Sequence, residues 1–221
     1  MSLWRWIVSL LFPPKCVLCG KVLSRDALDL CHDCRQDAPE CGTKVAKPQF
    51  VESAQALWHY EGMVRRSLLR YKFYGKRHYA QSYGRLLAMK LQKEGDEWFD
   101  MITWVPVSRW RKLRRGYDQV ELLAKAVCAE LGLEPVKCLK KIRHNRAQSR
   151  IVGQAQRRAN VLGVYDAVET EKIRGKRILL LDDIITTGAT VGECARVLLT
   201  GGAKEVHCAA VAAASHHKKG E

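Results

Sequence analysis

Leu179-Leu180-Leu181-Asp182-Asp183-Ile184-Ile185-Thr186-Thr187-Gly188-Ala189-Thr190 is the stretch on which the fold of this chain turns. The apolar run from Ile178 to Leu181 reads as a strand buried on both faces. A small polar loop follows, and from about Val191 to Thr200 the pattern is helical until Gly201-Gly202 stops it. Two carboxylates emerging from an apolar strand are costly to desolvate, and a helix cap needs one Asp or Thr rather than the whole string. In an open α/β sheet, the place where a strand gives way to a helix is where ligands bind. Thr186 to Thr190 supplies hydroxyls, a glycine that permits close backbone approach, and amides at a helix N-terminus, together a cradle for phosphate. Strand, paired acids and cradle describe a pocket for a phosphorylated sugar.

Outward from this segment, strand and helix alternate. Ala56 to Tyr60, Met101 to Val105 and Val206 to Val211 read as strands, the second ended by Pro106. Val64, Leu68 and Leu69, then Leu86, Leu87 and Leu91, recur at helical spacing; Val120, Leu123, Ala124, Val127 and Leu131 make one helical face closed by Gly132. The expected fold is therefore α/β, a mostly parallel sheet flanked by helices. With 221 residues, 47% of them apolar and 28% charged, the chain has room for one full domain and a smaller module, and its composition excludes a disordered or repetitive protein. The expected division is an N-terminal helix and cysteine module over 1–45, the main domain over 46–215 and a flexible tail over 216–221. Gly42 to Val51, polar and carrying Pro48, reads as the linker. Trp4, Ile7, Val8 and Leu11 fit one face of a short docking helix better than a secretion signal, because no small-residue cleavage site follows. No stretch approaches the roughly 18 apolar residues of a membrane-spanning helix.

Nine cysteines are many, and five fall between Cys16 and Cys41. Cys16-x-x-Cys19 and Cys31-x-x-Cys34 each aim two thiolates at one point, and two such turns complete a tetrahedral sulfur site of the kind zinc prefers. A redox dithiol or paired disulfides are the competing readings. A module this small cannot bury enough apolar surface to fold alone, whereas structural zinc contributes on the order of 10 kcal/mol in small peptides. Four thiolates leave no open coordination position, so the zinc is expected to be structural. His32 and Cys41 lie near enough to substitute for a ligand but read as bystanders, and a thiolate site implies a reducing, cytoplasmic setting.

The formal net charge is +15, whose natural counterpart is a polyanion. Gly62 to Lys93 contains no acid and interleaves Arg70, Lys72, Lys76 and Arg77 with Tyr71, Phe73, Tyr74, Tyr79 and Tyr83. Pro135 to Tyr165 is likewise acid-free and carries Arg143, Arg146, Arg157 and Arg158. Cations that track phosphates between rings on which bases stack suit single-stranded nucleic acid; a solvated basic surface with its aromatics turned into the core is the alternative.

The apolar strand, Asp-Asp and Thr-Thr-Gly-Ala-Thr of 179–190 resemble the phosphoribosyl pyrophosphate motif of type I phosphoribosyltransferases. That resemblance implies ribose hydroxyls on Asp182 and Asp183, and the 5-phosphate on Thr186, Thr187, Gly188, Ala189 and Thr190. It makes Val105-Pro106-Val107-Ser108-Arg109 the pyrophosphate loop, with Val107 and Ser108 binding and Arg109 neutralising the leaving group. Magnesium is expected to arrive with the sugar pyrophosphate. Phe12-Pro-Pro-Lys-Cys16-x-x-Cys19-Gly20, Arg114-Arg115-Gly116-Tyr117-Asp118-Gln119, Gln148 and Arg157-Arg158-Ala159-Asn160 resemble, in chain order, the competence protein ComF family. The usual family wording around 117 and 118 is Phe-Asn; Asp118 removes an amide donor and brings a charge. The implied role is cytoplasmic handling of single-stranded DNA during natural transformation, with protein partners in the uptake machinery. An active transferase and a non-catalytic sensor of the sugar phosphate stand as alternatives, and Arg114 and Arg115 suit either the leaving charge or the DNA surface.

Overall fold

The computed structural model of the chain describes residues 13–24, 27–42, 45–93, 98–143, 156 and 159–214. The expected N-terminal helix, Arg146, Gln148, Arg157, Arg158 and the tail lie outside these residues.

Four parallel strands form the central sheet: β1 (Ala54–His59), β2 (Met101–Trp104), β5 (Arg177–Ile185) and β6 (Glu205–Ala213), in spatial order β1-β6-β5-β2. Two helices, α2 (Gly62–Phe73) and α3 (Tyr79–Gln92), follow β1. After β2 come the short α4 (Arg109–Arg115) and α5 (Gln119–Leu131), and a two-stranded antiparallel pair, β3 (Leu139–Lys141) with β4 (Tyr165–Ala167), stands apart from the main sheet. The helical turn α6 (Thr170–Ile173) leads into β5, and α7 (Ala189–Thr200) connects β5 to β6. An all-parallel sheet must be covered on both faces, and here each face has its own apolar cluster. Leu179 and Leu181 pack with Val64, Leu68, Leu87 and Leu123 on one side, whereas Ile178 and Leu180 pack with Val191, Cys194 and Leu198 of α7 on the other.

The zinc module is built into this architecture. Its α1 (His32–Asp37) starts after Cys31, and Cys16, Val17, Leu18, Leu23 and Leu30 share a cluster with Trp58, Val64 and Leu68. Ser67 and Arg70 of α2 donate to the carbonyls of Val17 and Leu18, and Arg85 of α3 pairs with Asp29 at 3.2 Å. The segment read as a linker ends on the buried Val51 and is flanked by anchored residues: Cys41 Sγ lies 3.4 Å from His59 Nδ1, and the Glu52 N–H donates to the Val206 carbonyl.

Candidate functional site

Strand β5 runs to Ile185, so Asp182 and Asp183 lie inside the strand rather than beyond its end. Period-two alternation sends the two carboxylates to opposite faces. Asp183 faces the α2 and α5 side, where Lys72 Nζ lies 2.8 Å from Oδ1 and Gln119 Nε2 donates to Oδ2 at 2.9 Å. Asp182 faces the α7 side; its Oδ1 accepts from the Asp183 N–H at 2.8 Å, and among the described residues no basic side chain is within ion-pair reach. Burial, and then the charge of Asp183, push the Asp182 carboxyl well above the usual carboxylate range.

Beyond Ile185 the chain bends through Thr186 and Thr187 to Gly188, the N-cap of α7, at φ +72°. A Cβ at Gly188 would sit 2.9 Å from the Pro48 Cβ, so both conformation and space require glycine there. Thr187 Oγ1 takes the Ala189 N–H at 3.5 Å, and the Gly192 N–H donates to the Gly188 carbonyl at 2.7 Å, opening α7. The parallel pairing of β2 with β5 places the two carboxyl ends side by side, and the Val105 N–H donates to the Leu181 carbonyl at 2.9 Å. Val105 to Arg109 therefore emerges beside the two acids.

Asp118 fixes this second loop. Its Oδ1 accepts from the N–H groups of Val120 and Glu121 at 3.0 and 3.1 Å, capping α5, and its Oδ2 accepts from the Val107 N–H at 3.2 Å. Three donors converge on one buried side chain, which an acceptor-only carboxylate satisfies and an amide cannot. Burial pushes this carboxyl upward, against the pull of the three amides. The rest of the 114–119 segment is equally engaged: Arg115 Nη1 donates to Gln119 Oε1 at 2.8 Å, and Gln119 in turn holds Asp183. Burial lowers the Arg115 pKa, while the charge of Asp183 works in the opposite direction.

Ser108, Arg109, Trp110, Lys141, Ile142 and Arg143 line a cavity of about 490 Å³. Ser108 caps α4, taking the Arg111 N–H at 3.3 Å. Burial lowers Lys141 to about 8, with Arg111 adding to the shift and Asp182 opposing it, so this lysine and Asp182 share one electrostatic environment. Lys72, Asp118, Gln119 and Lys141 are the site groups that sequence reading left unassigned or assigned elsewhere; only the acid-free runs around the two lysines hinted at an anionic counterpart.

The remaining basic residues go to different places. Arg70 is tied to the zinc module, Arg77 stacks 4.9 Å over Tyr117, Arg114 lies 5.0 Å over Trp110, and Lys76 is exposed. The aromatics separate as well: Tyr71, Tyr79 and Tyr83 are buried, whereas Phe73 and Tyr74 are exposed.

In the N-terminal module, the sulfurs of Cys16, Cys19, Cys31 and Cys34 all lie within 4.8 Å of one another. Gly20, at φ +82°, makes the turn that closes the first pair. Against the upward push of burial, the amides of Cys19, Cys31 and Leu18 bring the Cys16 thiol down to about 7, which favours metal binding near neutrality. Neither His32 nor Cys41 belongs to this cluster. The donor set is that of a closed, structural zinc centre.

The fold and this pair of sites define a phosphoribosyltransferase domain joined to a zinc ribbon. The phosphoribosyl transferase domain model matches residues 121–221 and the double zinc ribbon domain model matches residues 7–55. Competence protein ComFC of Streptococcus pneumoniae is 30% identical, over 87% of this chain and 96% of its own. Competence protein F of Haemophilus influenzae is 27% identical, over 87% of this chain and 82% of its own, and DNA utilization protein YhgH of Salmonella typhimurium is 26% identical, over 86% of each. The chain belongs to the competence protein ComF family. Among the described residues no helix is long and apolar enough to cross a membrane.

Proposed function

We propose that this protein binds phosphoribosyl pyrophosphate together with magnesium at the carboxyl edge of β2 and β5, and handles single-stranded DNA in the cytoplasm during natural transformation. The observation that carries the reading is Asp182: a carboxylate buried inside β5 with no basic side chain in ion-pair reach among the described residues, whose charge is felt by Lys141, which lines a cavity with Arg109 and Arg143. Burying an acid this way costs stability unless a ligand uses it. The residue types fit a magnesium pyrophosphate, with hard carboxylate oxygens on one side and cations on the other. Magnesium, when bound, neutralises pyrophosphate oxygens.

The protein's own groups position the sugar. Asp182 and Asp183 accept from ribose hydroxyls, Asp183 being held in place by Lys72 and Gln119. The Thr186 to Thr190 bend and the α7 amides receive the 5-phosphate. Val107 and Ser108, fixed through Asp118, and Arg109 receive the pyrophosphate, and their positive potential is what a departing pyrophosphate needs. Among the described residues no general base for an acceptor is assigned, so binding is the first reading and transfer chemistry the second. The names of the relatives, two competence proteins and a DNA utilization protein, support the DNA role, as does the net charge of +15. The expected domain division, an N-terminal zinc module over 1–45 and a phosphoribosyltransferase-like domain over 46–215, is part of this proposal.

Calorimetric titration with the sugar pyrophosphate and magnesium tests it. Wild type should bind and Asp182→Asn should lose at least tenfold in affinity; equal binding by both would remove Asp182 from the site.

A further inference from the structure

Helix α4 buries none of its seven residues, although it carries Trp110 and Leu113 among five basic side chains. A surface helix ordinarily hides its apolar residues against the body. Here Trp110 is 56% exposed and Leu113 82% exposed, while Phe73 and Tyr74 at the end of α2 are 51% and 72% exposed. These two ends meet. Arg115 of α4 stacks 4.8 Å over the Phe73 ring, Arg114 lies 5.0 Å over Trp110, and Arg77 reaches Tyr117 while its guanidinium lies 2.6 Å from the position of a Cβ on Gly116. The acids closest to this face are already neutralised: Glu121 by Lys112 and Lys125, and Asp183 by Lys72.

The surface thus carries two exposed rings, Phe73 and Trp110, each under a guanidinium, with the exposed Tyr74 following Phe73. That combination matches a flexible polyanion with aromatic faces of its own, in which bases stack on rings and phosphates find the adjacent cations. An acidic polypeptide matches the charge but has no use for the rings. The same helix also borders the cavity, because Arg109 and Trp110 line it with Ser108, Lys141, Ile142 and Arg143. Two polyanions, a strand and a pyrophosphate, would have to share Arg109 and Trp110.

We infer that α4 and the end of α2 form a platform for single-stranded nucleic acid that is contiguous with the sugar-phosphate cavity, so that strand and sugar pyrophosphate oppose each other's binding. The antagonism rests on the proposed sugar-phosphate site; the platform itself does not. Linkage makes the effect reciprocal, and a coupling of the usual size weakens each ligand about fivefold or more when the other is bound.

The test uses zinc-loaded, full-length protein and the fluorescence anisotropy of a labelled oligothymidylate. Trp110→Ala should weaken strand binding by about 5- to 150-fold, the range for loss of one stacked base, and Phe73→Ala should do the same with an unchanged cavity lining. Saturating phosphoribosyl pyrophosphate with magnesium should weaken wild-type strand binding at least fivefold. Unchanged strand affinity in both variants overturns the platform, as does equally tight binding of polyglutamate with the same loss in Trp110→Ala. Calorimetric binding of the sugar pyrophosphate without any change in strand affinity overturns the antagonism and leaves the sugar-phosphate site standing. Failure of the sugar pyrophosphate to bind at all sinks that site and the antagonism together, with the platform then decided by the two variants.

Discussion

Lys72 separates the structural account from a purely compositional one. As one of nine basic residues in an acid-free run it reads as a surface charge, yet its ammonium lies 2.8 Å from Asp183 Oδ1, with the two side chains 19% and 6% exposed. Lys72→Met keeps the aliphatic stem and removes the charge, leaving the Asp183 carboxylate buried with only the Gln119 amide as a side-chain donor. Removing one partner of a buried pair costs about 3–5 kcal/mol, and the partial exposure of Lys72 together with the surviving Gln119 bond places this case near about 3. At roughly 2–4 °C per kcal/mol for a chain of this size, Tm should fall by about 6–12 °C. The double variant Lys72→Met/Asp183→Asn should regain most of that loss, since it leaves no unpaired charge. Thermal unfolding of the zinc-loaded proteins at neutral pH reads both. A Lys72→Met midpoint within about 1 °C of wild type would mean that the lysine is solvated and that the pairing is wrong.

Other substitutions probe the rest of the site. Burial raises the Asp182 carboxyl above its unfolded value, so the native state holds this proton to higher pH than the unfolded chain does, and stability falls as pH rises from about 4 through the folded pKa. Asp182→Asn should therefore be more stable than wild type at neutral pH, with the Tm gap closing on acidification; a gap that widens toward pH 4 would reverse the sign and refute the burial. Gly188→Ala forces a left-handed residue against Pro48, so it should cost at least about 1 kcal/mol and lower Tm, with weaker phosphate binding in the same protein. Cys34→Ser should abolish zinc retention, measured by metal analysis, and lower the melting temperature of the whole chain rather than of a separate module, because the zinc turn shares its core with α2. Two separate transitions, with the main one unmoved, would contradict that shared core.

What the sequence made legible was local. The two Cys-x-x-Cys turns and the change from strand to helix after Leu181 each show in a short stretch of pattern, whereas only family resemblance singles out the β2 to α4 loop. Gly132 and Gly201 end their helices as composition suggests. What could not be read depends on strand order. Chain order gives no warning that β1 and β2 occupy opposite edges of the sheet, yet that arrangement carries α2 past the zinc turn on one side and Asp183 on another. Ser67, Arg70, Tyr71 and Lys72 consequently serve four different neighbours from one helix. The aromatic run is a second case: Tyr79 and Tyr83 share one buried face of α3, whereas Phe73 and Tyr74 fall at the end of α2 where the chain turns outward. The Asp at 118, unusual beside the family wording, finds its reason only in the Val107 amide 11 residues upstream.

Crystals of the protein grown with phosphoribosyl pyrophosphate and manganese, the latter replacing magnesium for its anomalous signal, test the central claim most directly. The account predicts the 5-phosphate on the 186–190 bend, ribose hydroxyls against Asp182 and Asp183, and a manganese peak on the pyrophosphate between Asp182 and the Val105 to Arg109 loop. Sugar or metal density at any other place, or an empty site at saturating ligand, would contradict it.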